Sequence, residues 1–148
     1  ELRTDAYEAL KDLYCKALEA GYKMRILSGY RSYTEQQQLF NFYVNKYGKE
    51  WAEQIDDKPG ESEHQLGLCI DVGLPSGECD LDSCFASSGL YSWLHENAYK
   101  YGFIERYPEG KQSVTGIIYS PWHYRYVGKD MAEKIYISGL TMEEFFEN

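Results

Sequence analysis

Apolar positions along the chain alternate between two periods, and the changes of period mark out its elements. From about Asp5 to Ala20, Ala6, Leu10, Leu13, Tyr14 and Leu18 recur at the three- and four-residue spacing of an amphipathic helix, with Gly21 as its stop. The short apolar run Met24 to Ser28 predicts a strand. Thr34 reads as an N-cap with Gln37 at the capping-box position, and Leu39, Phe40, Tyr43, Val44 and Tyr47 give a second helix an apolar face up to Gly48. Residues 56–63 (DDKPGESE) are turn-rich, and the compact run Leu66 to Leu74 predicts a buried strand. Leu90, Trp93, Leu94, Ala98 and Tyr101 predict a third helix closed by Gly102. Strand-like pieces follow at Gly102 to Ile104, Thr115 to Tyr119 and Trp122 to Val127, then helical patterns at Met131 to Ile137 and Met142 to Phe146. Helices at both ends with strands grouped centrally predict an α+β fold, a mainly antiparallel sheet flanked by helices.

Length and composition narrow this picture. The 148 residues suit a single domain spanning 1–148. A chain of this size buries roughly two thirds of the surface its unfolded form exposes, so it needs no metal merely to fold. A bound metal would therefore be functional. With 24 acidic against 15 basic residues and a formal charge of −9, there is no basic cluster to engage phosphates, and nucleic acid is excluded as a partner. The surplus of tyrosine, fifteen beside six Phe and three Trp, suits a polar groove with aromatic walls. No stretch approaches the roughly 18 apolar residues of a membrane-spanning helix. Nothing at the start reads as a signal peptide, although the chain begins abruptly at Glu1, as a trimmed fragment would. The cysteines, Cys15, Cys69, Cys79 and Cys84, lack CxxC spacing; Cys79 and Cys84 share a short loop and would pair in an exported protein but not in a cytosolic one.

Candidate chemistry gathers around two of the three histidines. His64 leaves a polar loop seven residues before Asp71, and His123 lies in a second strand-like segment. Two imidazoles and a carboxylate would give zinc three protein ligands and leave a fourth position open, the arrangement of a hydrolytic site. The plainer alternative is a capping aspartate with surface histidines. Asp71, however, lies between Ile70 and Val72, and a carboxylate inside an apolar strand is costly without a compensating cation or donor. Strand alternation puts it on the face of Cys69 and Gly73, opposite Leu68, Ile70, Val72 and Leu74, so it is expected to look into a site. His95, between Leu94 and Glu96 in the third helix, has no ligand-like context and is read as structural or exposed.

Four ordered blocks then resemble a known family: Ser28-Gly29-Tyr30-Arg31-Ser32, Ser62 to Asp71 as S-x-H-x-x-G-x-x-x-D, Tyr101 to Pro108, and Pro121-Trp122-His123-Tyr124-Arg125-Tyr126-Val127-Gly128. They are similar to the zinc D,D-peptidases of bacterial cell walls, which include vancomycin-resistance D-alanyl-D-alanine carboxypeptidases and D,D-dipeptidases and share a wider fold group with the hedgehog signalling domain. The resemblance implies zinc held by His64, Asp71 and His123, oxyanion stabilisation by Arg31, and substrate held by Ser62. On physical grounds Arg31 fits a carboxylate or an oxyanion equally well, the plainer role being a surface arginine capping the next helix. Trp122 is a candidate groove wall, or simply core.

One departure bears on catalysis. The family's general-base glutamate, three residues before the second histidine, is replaced here by Ser120, whose hydroxyl has no pKa near 7. Glu63 and Glu105 are the candidate substitutes, Glu63 being expected to point away from its strand neighbour His64. Two functions are carried forward. One is a zinc carboxypeptidase acting on peptidoglycan stem peptides or precursors ending in D-Ala, its activity impaired by Ser120, with a D-Ala-D-Ala dipeptidase as a variant. The other is a non-catalytic, zinc-containing binding module of the same fold. The chain is read as a monomer of the bacterial cell envelope, extracytoplasmic and anchored by a segment outside this sequence, with a cytoplasmic dipeptidase as the alternative.

Overall fold

The computed structural model describes residues 1–147; Asn148, the last residue of the expected domain, lies outside them. In chain order the elements are α1 (Thr4–Glu19), β1 (Arg25–Ser28), α2 (Tyr33–Tyr47), α3 (Lys49–Ile55), a 3-10 turn (Glu63–Leu66), β2 (Cys69–Gly73), a 3-10 turn (Ser83–Ser87), α4 (Gly89–Asn97) continued as a 3-10 turn (Ala98–Tyr101), β3 (Phe103–Glu105), α5 (Gln112–Thr115), β4 (His123–Tyr126), α6 (Lys129–Ser138) and α7 (Met142–Glu147). The four strands form one sheet in the order β1-β2-β4-β3, and its antiparallel pairing is the kind the sequence pattern predicts.

Register makes this sheet a scaffold for chemistry. Across β2 and β4, Asp71 pairs with His123, Ile70 with Tyr124 and Cys69 with Arg125. Directly opposite residues share a face, so Ile70 and Tyr124 enter the main core while Asp71, His123, Cys69 and Arg125 turn to the other side. That core joins Ile70, Val72, Tyr124 and Phe103 to Leu10 and Leu13 of α1 and Leu90 and Leu94 of α4. A one-residue slip would exchange the two sets, and the burial of Ile70, Val72 and Tyr124 opposes it. A bulge in β1 between Ile26 and Ser28 shifts the register so that Ser28 lies opposite Asp71.

Several elements differ from the sequence expectation. In α1 the buried stripe is Ala6, Ala9, Leu10, Leu13 and Ala17, while Tyr14 and Leu18 are exposed. Small alanines allow α1 to pack closely against α4 and the 3-10 turn at 98–101, so the burial stripe runs through them and not through the largest apolar residues. Helix α2 starts two residues earlier than expected: Ser32 Oγ accepts from the Glu35 backbone N–H, and the Glu35 carboxylate accepts from the Ser32 N–H. Both Ser32/Glu35 and Thr34/Gln37 fit a capping box, and the charged acceptor makes the stronger bond. Of α2's expected apolar face only Phe40 is buried, together with Gln36, because the helix covers a cavity and not the core. Helix α3 was not expected. His64 lies in a 3-10 turn, with the strand itself beginning only at Cys69. Gly67 (φ 65°) ends that turn in the left-handed region, where a Cβ would also come within 3.1 Å of the Arg3 backbone nitrogen. Residues 115–119 are not a strand: α5 ends at Thr115, and Ile117 and Ile118 wall the cavity.

Candidate metal centre

The cavity on the polar face of the sheet has a volume of about 320 Å³ and is bounded by Arg31, Asp71, Ser120, Trp122 and His123, with Leu39 and Tyr43 of α2 on its flank. Strand β2 supplies Asp71, the start of β4 supplies His123, and the 3-10 turn supplies His64; all three are buried. Asp71 turns one oxygen to each imidazole: Oδ2 lies 3.2 Å from His64 Nε2, and Oδ1 lies 2.8 Å from His123 Nδ1. The rings meet edge to face at 5.1 Å, and Tyr107 stacks on His123 at 5.0 Å. On its far side His64 Nδ1 is 2.6 Å from the Gly29 carbonyl, a bond that fixes the ring and directs Nε2 toward Asp71.

Charge in this cluster is strongly coupled. Burial alone would raise the Asp71 carboxyl, but hydrogen bonds from His123 and His64 outweigh it and hold the group well below the usual carboxylate range. Burial alone would lower His64, and its bonds with Asp71 lift it to about 9; His123 is likewise raised. Both shifts favour protonated imidazoles beside Asp71, so positive charge is stabilised at the place where a cation would sit. Two imidazole nitrogens and a carboxylate converging from a turn and two strands fit zinc in donor type, and an ion entering there would have to displace those protons.

Of the other expected site residues, Arg31 faces the cavity. Its guanidinium donates to Gln36 Oε1 at 2.7 Å and Ser28 Oγ at 3.2 Å, and lies 4.0 Å from Asp71 Oδ2 and 3.8 Å from Asp56 Oδ2. The capping role falls to Ser32. Trp122 lines the cavity, whereas Ser62 is buried as the cap of the 3-10 turn, its Oγ accepting from His64 N–H, and is not among the lining residues. Ser120 lines the cavity with its hydroxyl donating to the Ile118 carbonyl at 2.9 Å. His95 pairs with Glu105 at 2.9 Å outside the cavity, and Cys79 and Cys84 form a disulfide.

Neither candidate substitute for the missing base is free to act as one. Glu105 accepts from Tyr91 and lies against His95. Glu63 turns inward, contrary to the expectation from a strand, because the 3-10 turn rotates it to within 3.8 Å of His123 Nε2. There it is clamped by Arg106 and Arg125, each at 2.9 Å. Burial opposes its ionisation, but the neighbouring His123 imidazole and the two guanidiniums outweigh that and lower it to about 2. Glu63→Ala is expected to destabilise the protein by about 2 to 4 kcal/mol, since it leaves the largely covered Arg125 guanidinium without this partner while Arg106 keeps Glu143. Urea denaturation measures this, and an unchanged midpoint would show that the clamp carries no stability.

Sequence reading missed three residues. Asp56 and Asp57 line the cavity from the turn-rich segment after α3; burial and the neighbouring Asp56 carboxylate push Asp57 up to about 6. Cys69 was not among the expected ligands, yet ligand atoms of His64, Cys69 and His123 all lie within 4.8 Å of one another. The alternation that turns Asp71 inward also turns Cys69 inward, which is the signal that could have found it.

Comparison with known proteins agrees with this geometry. A family model described as VanY, D-alanyl-D-alanine carboxypeptidase, matches residues 1–129. A D-alanyl-D-alanine carboxypeptidase of Enterococcus faecalis is 39% identical over 98% of this chain and 54% of its own length. The chain spans about half the length of the first curated relatives it matches, 54% of each. Among solved structures, the LdcB LD-carboxypeptidase superposes with a TM-score of 0.92 at 44% identity, covering 99% of this chain and 68% of that one. VanYB in complex with D-alanine-D-alanine gives 0.89 at 37% identity, covering 99% and 83%. A glutamate-to-alanine variant of the D,D-pentapeptidase VanY in complex with Zn(II) gives 0.87 at 37% identity, covering 98% and 83%.

Proposed function

This chain belongs to the VanY family of D-alanyl-D-alanine carboxypeptidases, and from that premise we propose that it is a zinc D,D-carboxypeptidase domain for peptidoglycan stem peptides whose turnover is held back at position 120. The observation that carries this reading is the pair of contacts from the two Asp71 oxygens to His64 Nε2 and His123 Nδ1 at the floor of a cavity that also presents Arg31. Zinc held by His64, Asp71 and His123 would supply Lewis-acid activation of water and of the scissile carbonyl.

The chain's own residues do the rest. Arg31, held by Gln36 and Ser28, presents a fixed positive fork to a peptide carboxylate or to charge developing on the carbonyl oxygen. Asp56 lies close enough to orient the fork. Trp122 and Tyr43 wall the groove and exclude water from the bound peptide. Ser120 can accept and donate a hydrogen bond but cannot hold a proton taken from water near neutral pH, so proton transfer is the step this chain performs worst. Relatives that bind D-alanine-D-alanine or hold Zn(II) support the substrate class and the metal. The Cys79–Cys84 disulfide favours an oxidising, extracytoplasmic setting, and among the described residues no helix is long and apolar enough to cross a membrane.

Zinc-loaded protein tests the reading with a pentapeptide ending in D-Ala-D-Ala: calorimetry is expected to show binding, and mass spectrometry slow release of a single D-Ala. Failure both to bind and to cleave overturns the substrate assignment, and binding without any cleavage moves the chain to the binding-module function. A tetrapeptide with an L,D terminal bond belongs in the same assay, because the LdcB structure at 44% identity is that of an LD-carboxypeptidase. Preferred cleavage of the tetrapeptide would reassign the stereochemistry while keeping the site. Arg31→Ala is expected to weaken peptide binding by about 10- to 100-fold, the worth of one or two charge-assisted hydrogen bonds. An unchanged affinity would remove Arg31 from the peptide site.

A further inference from the structure

We propose that the Cys69 thiolate is a displaceable fourth protein ligand of the metal centre, which makes the resting site latent. The proposal rests on the zinc reading above and deepens it. Cys69 is fully buried and carries a free thiol. It precedes Asp71 by two positions on β2, so both side chains leave the same face of the strand, and its cross-strand partner Arg125 follows His123 by two positions on β4. This places the sulfur beside both imidazoles, with the ligand atoms of His64, Cys69 and His123 all within 4.8 Å of one another.

Packing alone gives no reason for a thiol here. The opposite face of β2 carries the apolar core, while this face holds two histidines and a carboxylate. A sulfur among such donors is suited to a borderline-soft cation. With Asp71, which contacts both imidazoles, the four side chains supply an N/N/O/S donor set, and four protein donors are the composition of a closed site and not of one with a position left for water. A peptide carbonyl or a water molecule could then engage the metal only after the thiolate swings off. The sulfur would leave as thiolate or, on taking a proton, as thiol, with no change of redox state. A thiolate ligand also donates charge to the ion and so lowers its Lewis acidity.

Cobalt(II) in place of zinc reports directly on sulfur ligation. The protein is prepared as Cys15→Ser, removing the exposed free thiol; Cys79 and Cys84 are already bridged. At one equivalent of cobalt this parent is expected to show a near-ultraviolet thiolate-to-cobalt charge-transfer band beside the visible d–d bands. X-ray absorption on its zinc form is expected to show a sulfur scatterer at about 2.3 Å. Cys69→Ala should still bind one equivalent and keep the d–d bands while losing the charge-transfer band. One equivalent bound by the parent with neither band nor sulfur scatterer overturns the proposal and leaves the zinc site standing, as does a band that persists in Cys69→Ala. Failure of the parent to bind an equivalent of cobalt or zinc would overturn the metal reading itself. The parent spectra alone decide the matter if Cys69→Ala does not fold.

Discussion

Ser120→Glu is expected to raise the hydrolysis rate on a D-Ala-D-Ala-terminated peptide by about 10²- to 10⁴-fold, the usual worth of a positioned general base. Ser120 is buried, lines the cavity, and accepts the His123 backbone N–H at its carbonyl, so a carboxylate at this position projects beside His123. The cavity of about 320 Å³ has room for the longer side chain, and the hydroxyl it replaces donates to the Ile118 carbonyl. Neither Glu63 nor Glu105 is free to do the same work. Glu63 is immobilised by two arginines and Glu105 lies against His95, while Asp57, which burial and the Asp56 carboxylate push up to about 6, enters the cavity from the segment after α3. If Cys69 occupies the position water must take, Ser120→Glu combined with Cys69→Ala should exceed Ser120→Glu alone. Steady-state release of D-Ala measures both, and an unchanged rate in Ser120→Glu from a readily measured starting rate would show that position 120 does not limit catalysis.

The second large effect concerns the ion. His64→Ala and His123→Ala are each expected to abolish stoichiometric zinc, because both imidazoles belong to every ligand set the structure offers, with Asp71 or with Cys69. At zinc one hundredfold above its dissociation constant the intact protein should gain about 2.7 kcal/mol of stability from binding. For a domain of this size that corresponds to a melting-temperature rise of roughly 5 to 15 °C. Both variants should show no such rise. Elemental mass spectrometry finding a full zinc equivalent in either one would remove that histidine from the centre.

Much of this site is legible along the chain for a simple reason: strand alternation is local. Asp71 flanked by Ile70 and Val72 has to face away from the core they enter, and an inward carboxylate in a dry setting calls for a cation. The helices at both ends, the central strands and the S-x-H-x-x-G-x-x-x-D spacing follow equally from neighbours in sequence. Errors arose where two local readings were equally good. Ser32/Glu35 and Thr34/Gln37 both fit a capping box, and the apolar run Ile117-Ile118 reads the same whether it pairs in a sheet or walls a cavity.

The amino-acid order by itself therefore determined most of the helices and strands, the α+β class and the net acidic charge, and it singled out His64, Asp71 and His123 as candidates. Only the tertiary structure decided which groups act together. Asp71 and His123 are 52 residues apart and meet through the β2/β4 register, which no periodicity within either strand contains. The 3-10 turn that swings Glu63 inward to Arg106 and Arg125, the entry of Asp56 and Asp57 into the cavity, and the approach of Cys69 to both imidazoles are likewise matters of long-range packing. Periodicity sets the face from which a side chain leaves its strand; what it meets there depends on the segments that burial of the shared apolar core brings alongside.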